Sequence, residues 1–188
     1  MDTQAIRRID GIRIHNAEDF EGMRRAGKLV AECLDMLVPH VQPDVTTGHL
    51  DDLIREFVLD HGAASATIGY RGYRHASCIS HNHVVCHGIP QNKFLNEGDI
   101  VNVDVTALKD GWHGDTSRMF FVGDVSVKSK NLVSITYNSL MNAISIIKNG
   151  IHLGDIGETI QTYVEKKGFS VVRDFCGHGI GKTFHESP

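Results

Sequence analysis

One stretch constrains the geometry of this chain more than any other: "DIVNVDVTALKDGWHGDTSRMFFVG", residues 99–123. Apolar and polar residues alternate from Val101 to Thr106, the period of a strand with one buried face. Val101, Val103 and Val105 point one way, and Asn102, Asp104 and Thr106 the other. Asp110-Gly111 is a two-residue turn of the type that closes an antiparallel hairpin, and the segment beginning at His113 is the returning strand. With that turn, Thr106 pairs with Asp115, and Asp104 lies diagonally across from Asp115 on the same face. Diagonal neighbours hold their Cβ atoms roughly 7–8 Å apart. Two carboxylates reaching across such a gap can share one metal ion, or bracket two lying about 3.5–4 Å apart. A three-residue turn without a bulge would send them to opposite faces, so the inference depends on the Asp-Gly turn. Taken alone, the hairpin also reads as an ordinary half-buried strand with both acids in solvent.

Histidines carry the argument further. The chain has 12 of them, clustered between His75 and His113 and again near the C-terminal end. There "CGHGIGKTFHESP" (176–188) contains Gly-Lys-Thr behind glycines, yet it is not a phosphate loop. Gly-x-x-x-x-Gly-Lys-Thr requires glycine at position 176, where Cys176 stands, and no helix follows Thr183. Its histidines, His178 and His185, together with His87 in "CHGI", lie in turn-rich contexts. Two carboxylates with an imidazole form a hard-to-borderline donor set suited to Mn, Fe, Co or Zn.

The rest of the chain supports one globular, soluble domain with a core of its own. It has 188 residues, 41% hydrophobic and 22% charged, with a formal net charge of −4. That charge argues against nucleic acid or an anionic membrane as partner. No apolar run reaches membrane-spanning length, and "MDTQAIRRIDGIRIHN" has no apolar export signal. Cys33, Cys78, Cys86 and Cys176 are scattered without a C-x-x-C pair. They predict reduced thiols in a cytosolic setting rather than a disulfide framework or a zinc ribbon. Hydrophobic spacing predicts helices over 17–38, stopped by Pro39 and Pro43, and over 47–62, ended by Gly62. Further helices are predicted over 127–150 and over 155–168, the latter opened by Asp155 and Glu158 at capping-box-like spacing. Residues 70–80, 81–90 and 169–176 read as strands.

The order of elements repeats. At a shift of 106 residues Val45 meets Ile151, Gly48 meets Gly154, Leu50 meets Ile156, Asp52 meets Glu158 and Ile54 meets Ile160. Phe57 meets Tyr163, Val58 meets Val164 and Gly62 meets Gly168. An internal duplication is inferred within one catalytic domain spanning 1–188, with a first repeat of about 17–122 and a second of about 126–188. The second repeat ends before a hairpin of its own, so the chain is expected to be incomplete.

Taken together, "GYRGY", "CISHNHVVCHGIP", "EGDIVNVDVTALKDGWHGDTSRMFFVG" and "CGHGIGKTFHESP" resemble the type I methionine aminopeptidases, over nearly the whole chain from Asn16. "VCHGIP" separates that family from the proline dipeptidases of the same fold. The resemblance implies an α+β "pita-bread" fold: two pseudo-symmetric helix-helix-strand halves around a central antiparallel sheet, the second half here cut short. It implies two divalent metal ions, with Asp104, Asp115 and His178 among their ligands and Asp115 bridging. His87 would help position the scissile peptide and leaving amine, and His185 would stabilise the developing oxyanion. Tyr70, Tyr73, Cys78 and Phe184 would line the methionine pocket, and Asn82 and Val84 fall where some members hold a monovalent cation. The implied activity is removal of the initiator methionine from nascent proteins when the second residue is small. The implied setting is a cytoplasmic monomer, acting on nascent N-termini and in some members near the ribosome. The family's other two ligands, both glutamates, and a pocket-closing Trp would lie beyond position 188, so the 188-residue chain alone is expected to have little activity. Arg71 stands where a His is often found. The other readings of the residues are a non-catalytic binding module of this fold and an X-Pro dipeptidase.

Overall fold

Asn16 opens the first helix. Its side chain accepts a hydrogen bond from the Asp19 N–H (3.0 Å), while the Asp19 carboxylate accepts from the Asn16 N–H (3.2 Å), a reciprocal cap satisfying two orphan donors. In the computed structural model, which describes residues 8–9 and 12–187, this helix (α1) runs Ala17–Met36. It stops short of Val38 because a residue preceding proline is disfavoured in the helical region, and the Leu37 N–H closes the last turn on the Cys33 carbonyl. Gly22, Ala26, Leu29, Val30, Cys33 and Leu34 form its buried stripe. The second helix, α2, runs Thr47–Asp60, capped by the Thr46 side chain and followed by left-handed Gly62 (φ 63).

Strands β1 (Arg8–Ile9) and β2 (Ile12–Arg13) pair as a small antiparallel ribbon. The main sheet is built on β5 (Ile100–Lys109), which pairs along its whole length with β6 (Trp112–Phe121). On its other edge β4 (Ser77–His81) pairs with residues 101–105, and β3 (Ala64–Ser65) with Ala107 and Leu108, all antiparallel. The strands expected over 70–80 and 81–90 reduce to β4. Gly69, Arg71, Gly72, Asn82 and His87 all have positive φ, which no strand accommodates. They form a single 3₁₀ turn at Tyr70–Gly72 and a loop after His81.

Helix α1 packs on β5 and β6, and α2 on β3 and β4. Between them Val101, Val103 and Val105, each fully buried, meet Leu34, Leu37, Leu50, Ile54, Val58 and Leu95. Each such side chain contributes about 1.5–3 kcal/mol of burial. Buried Asp51 of α2 ties in the start of β4: it accepts from the Ser77 N–H (2.8 Å), the Ser77 hydroxyl (2.6 Å) and the Ala76 N–H (3.2 Å).

The chain divides into two units. The first runs through Asp124 and takes up the segment from His178 onward; the second is Val125–Gly177. In the second, α3 (Val127–Ser145) is capped by the Ser126 side chain and packs on α4 (Leu153–Lys166). α4 starts two residues before Asp155, which is its third residue rather than its cap. Its carboxylate accepts from the His152 N–H (2.8 Å). Among the described residues, 169–176 forms no strand, because it has no neighbouring strand with which to share a ladder. No described helix is long and apolar enough to cross a membrane.

Candidate active site

The turn between β5 and β6 sets the site. Asp110 (φ 50) and Gly111 (φ 80) are both left-handed, so Lys109 pairs with Trp112, Thr106 with Asp115 and Asp104 with Ser117. That is the expected register, and it leaves Asp104 and Asp115 diagonal on the face away from the valines. Helix α1 presses on the strand just before the second acid. A Cβ at Gly114 would lie 2.3 Å from the Ala26 carbonyl oxygen, so only glycine lets the strand sit this close to the helix. Burial, reinforced by the charge of Asp115 and a hydrogen bond with it, pushes the Asp104 carboxyl up to about 7. The two acids cannot both be charged at this separation without a cation or proton between them.

Cys78 lies opposite Asp104 on β4. Burial raises its thiol, and the nearby Asp104, Asp51 and Asp115 add to that against an opposing hydrogen bond with Tyr73. The thiol is therefore kept protonated and unreactive. Tyr73, raised by burial first and then by its contact with Cys78, donates its hydroxyl to the Ser77 carbonyl (2.8 Å).

The segment from His178 docks at the start of β6. The Gly181 carbonyl accepts from both the His113 N–H (2.9 Å) and the His113 ring Nδ1 (3.0 Å). Gly179 bridges Glu186, whose carboxylate accepts from the Thr183 N–H (2.9 Å), and Lys182 lies over the Trp112 ring at 5.1 Å. This brings His178 Nε2 to 3.7 Å from the Asp115 carboxylate. The other ring nitrogen, Nδ1, is 2.9 Å from the Gly179 carbonyl. A carbonyl only accepts, so Nδ1 carries the proton, and in the neutral ring Nε2 presents a lone pair on the side of Asp115. A lone pair beside two carboxylates is the donor set of a divalent cation, and these residues fit one. Among the described residues, however, no three His, Cys, Asp or Glu side chains close to coordinating distance of a single point.

His185 lies tilted against His178 (ring centroids 4.1 Å apart) and stacks on Phe184 (4.3 Å), and its Nδ1 is 2.9 Å from the Tyr70 hydroxyl. Partial desolvation, then the charges of His178 and Arg71, lower its pKa, favouring the neutral imidazole. Phe184 packs on Tyr70 (4.9 Å). A chain of contacts thus links Tyr70 and Phe184, through His185, His178, Asp115 and Asp104, to Cys78 and Tyr73.

Three other expected residues lie outside this chain of contacts. Asn82 and Val84 sit past the far end of β4. There the Asn82 amide donates to Asp99 (2.7 Å), and His81 Nε2 is 2.6 Å from the same carboxylate. Burial alone would raise Asp99; hydrogen bonds from His81, Asn82 and the Asn96 N–H hold it down to about 2. His87 is exposed and left-handed (φ 53) on a loop that folds back along β4, where the Ile79 N–H donates to the Gly88 carbonyl (2.8 Å). Sequence reasoning missed His113 as the clamp on the C-terminal segment and Asp51 as the anchor of β4. Both act through partners distant in sequence, which neither periodicity nor spacing reveals.

Residues 21–188 match the model of metallopeptidase family M24, and the chain belongs to that family. Within it, the methionine aminopeptidase of Rickettsia prowazekii is 54% identical over 177 residues, covering 94% of this chain and 68% of that protein. The methionine aminopeptidase of Escherichia coli K12 is 52% identical over 179 residues, with the same shares. The crystal structure of the Rickettsia enzyme superposes with a TM-score of 0.93, covering 94% of this chain and 71% of that one. That of the Thermotoga maritima methionine aminopeptidase gives 0.92 at 41% identity, covering 94% and 72%. The chain thus has the pita-bread fold of this family and spans about two thirds of the length of these relatives.

Proposed function

We propose that this chain removes N-terminal methionine from polypeptides whose second residue is small, by hydrolysis dependent on two divalent ions. The observation that carries the site assignment is His178, its Nε2 turned to Asp115, beside the carboxylates Asp104 and Asp115, which share a hydrogen bond. These three residues would hold the metal, with Asp115 shared between ions and Asp104 giving up its proton on loading. Divalent ions bound there supply an acidified water and polarise the scissile carbonyl.

The remaining roles belong to the protein. With the Tyr70 hydroxyl donating to Nδ1, His185 carries its proton on Nε2 and donates it to the oxygen as negative charge develops. His87 contacts the leaving amine. Tyr70, Phe184, Tyr73 and the protonated Cys78 receive an unbranched thioether, to which aromatic faces and a neutral thiol are well matched. Asn82 and Val84 offer backbone oxygens to a monovalent cation. The substrates are nascent N-termini, and the setting is a cytoplasmic monomer that works near the ribosome.

Calorimetric titration with Mn(II) at pH 7.5 tests the site. Asp104→Asn, Asp115→Asn and His178→Ala should each weaken binding by about tenfold or more, on the scale of losing a coordinating group. Unchanged affinity in all three variants would overturn the assignment.

A further inference from the structure

The rim beside Tyr70 carries a cation that the mechanism above does not use. Arg71 lies between Gly69 (φ 85) and Gly72 (φ 83) and is itself left-handed, at φ 48 and ψ 31. Long side chains rarely adopt that conformation, and where they do the site is commonly a ligand site. The guanidinium lies over the Tyr70 ring, 5.4 Å from its centroid, an arrangement that holds a cation in place. Tyr70 in turn reaches His185 at 2.9 Å, and the Arg71 charge is felt at that imidazole. Arg13, Arg24, Arg25, Arg118 and Arg173 each pair with a carboxylate. Arg71 is exposed and pairs with none among the described residues. Arg74, three residues on, is exposed too.

The site is therefore polarised, with two acids in its interior and an unpaired guanidinium on its rim. A peptide with its amine toward the interior runs outward at about 3.3 Å per residue, so its third residue lies about 7 Å further out than its amine.

We propose that Arg71 is a specificity-determining residue that favours polypeptides with Asp or Glu at the third position, an inference that rests on the methionine-removal reading. Exposed ion pairs of this kind alter affinity by about two- to fivefold. The preference is therefore a bias among substrates rather than a requirement.

The test compares three C-terminally amidated tetrapeptides, Met-Ala-Glu-Ser, Met-Ala-Gln-Ser and Met-Ala-Lys-Ser. Amidation removes the one other carboxylate that could mimic an acidic side chain. Dissociation constants are measured by calorimetry on the 188-residue protein with Mn(II) added. The Glu peptide should bind about two- to fivefold tighter than the Gln peptide, and the Lys peptide weaker by a similar factor. In Arg71→Asn the three should converge, and in Arg71→Asp the order should reverse; Asn and Asp both tolerate positive φ. A further measurement needs no variant: in 0.5 M salt the wild-type preference should fade, as about 4 Å of screening length replaces about 8 Å. If all three peptides bind with no charge preference, or with a preference that survives in Arg71→Asp, the role of Arg71 is overturned and the methionine-removal reading stands. If none binds, or if N-acetylated peptides bind equally well, that reading is overturned and the inference falls with it.

Discussion

The acid hairpin and the C-terminal segment supply opposite halves of one site, and they are held in different ways. Asp104 and Asp115 ride on strands paired without interruption from Ile100–Phe121 to Lys109–Trp112, over a core of fully buried valines. His178 and His185 ride on an exposed segment held by a few isolated bonds to His113, Gly179 and Glu186. Pre-organisation is thus uneven. The carboxylates proposed as ligands stand in place before any ligand arrives, whereas the imidazoles proposed beside them depend on local contacts that open at low cost.

The sharpest way to break this comparison is at Gly114. Gly114→Val places side-chain atoms where a Cβ alone would meet the Ala26 carbonyl oxygen at 2.3 Å. It should cost about 3 kcal/mol or more, seen as a lower midpoint in urea, with ion binding lost because Asp115 is displaced. Smaller in effect is the proton on Asp104. Its folded value of about 7 exceeds the ordinary carboxylate value near 4. Between those limits the folded chain keeps a proton that the unfolded chain has released. This contribution is therefore complete below about pH 4, is lost as pH rises to about 7 and stays absent above. It amounts to about 2 kcal/mol once partial exposure is discounted. Urea melts of the metal-free protein at pH 4.5 and 7.5 should show that difference, and Asp104→Asn should flatten it relative to wild type.

The C-terminal segment should respond differently. Glu186→Ala removes the acceptor for the Thr183 N–H. Amide exchange over 178–187 should quicken about fivefold, equivalent to about 1 kcal/mol, with global melting unmoved. His113→Phe keeps an aromatic ring against Phe184 but loses the ring bond to Gly181. It should quicken exchange by about twofold, near 0.5 kcal/mol. Global unfolding by either of these two changes would mean that the segment is as integral to the fold as the hairpin.

The same contrast explains what was legible in the sequence. Alternation and an Asp-Gly turn determine a register locally, so the relation of Asp104 to Asp115 could be read before any coordinates. The docking of Gly181 on His113 depends on residues 68 apart, and no local pattern encodes it. Composition suggests strands over 70–90, where the chain forms only β4, because aromatic and β-branched side chains mask positive φ, which at Arg71, Asn82 and His87 falls on residues other than glycine. The end of α1 followed from Pro39, though two residues early. The repeat remains our proposal. It is supported by the fact that Thr47 and Leu153, and likewise Asp60 and Lys166, lie 106 apart as the first and last residues of α2 and α4. The strand expected after α4 was predicted from composition, but a strand exists only where another backbone completes its bonds.

The buried carboxylate of Asp51 carries a last consequence, for how the domain assembles. Its three donors all belong to Ser77 and Ala76, some 25 residues away in the chain. If α2 collapsed onto the sheet before β4 arrived, it would trap an anion with no donors, a costly state. If β4 arrived first, it would leave its own N–H groups open. Neither half-assembled state is comfortable, so helix and strand should lock together in one cooperative event. Cys78 lies on the strand so anchored and the turn bearing Tyr70, Arg71 and Tyr73 leads into it, so the pocket proposed for methionine would be formed or absent as a whole.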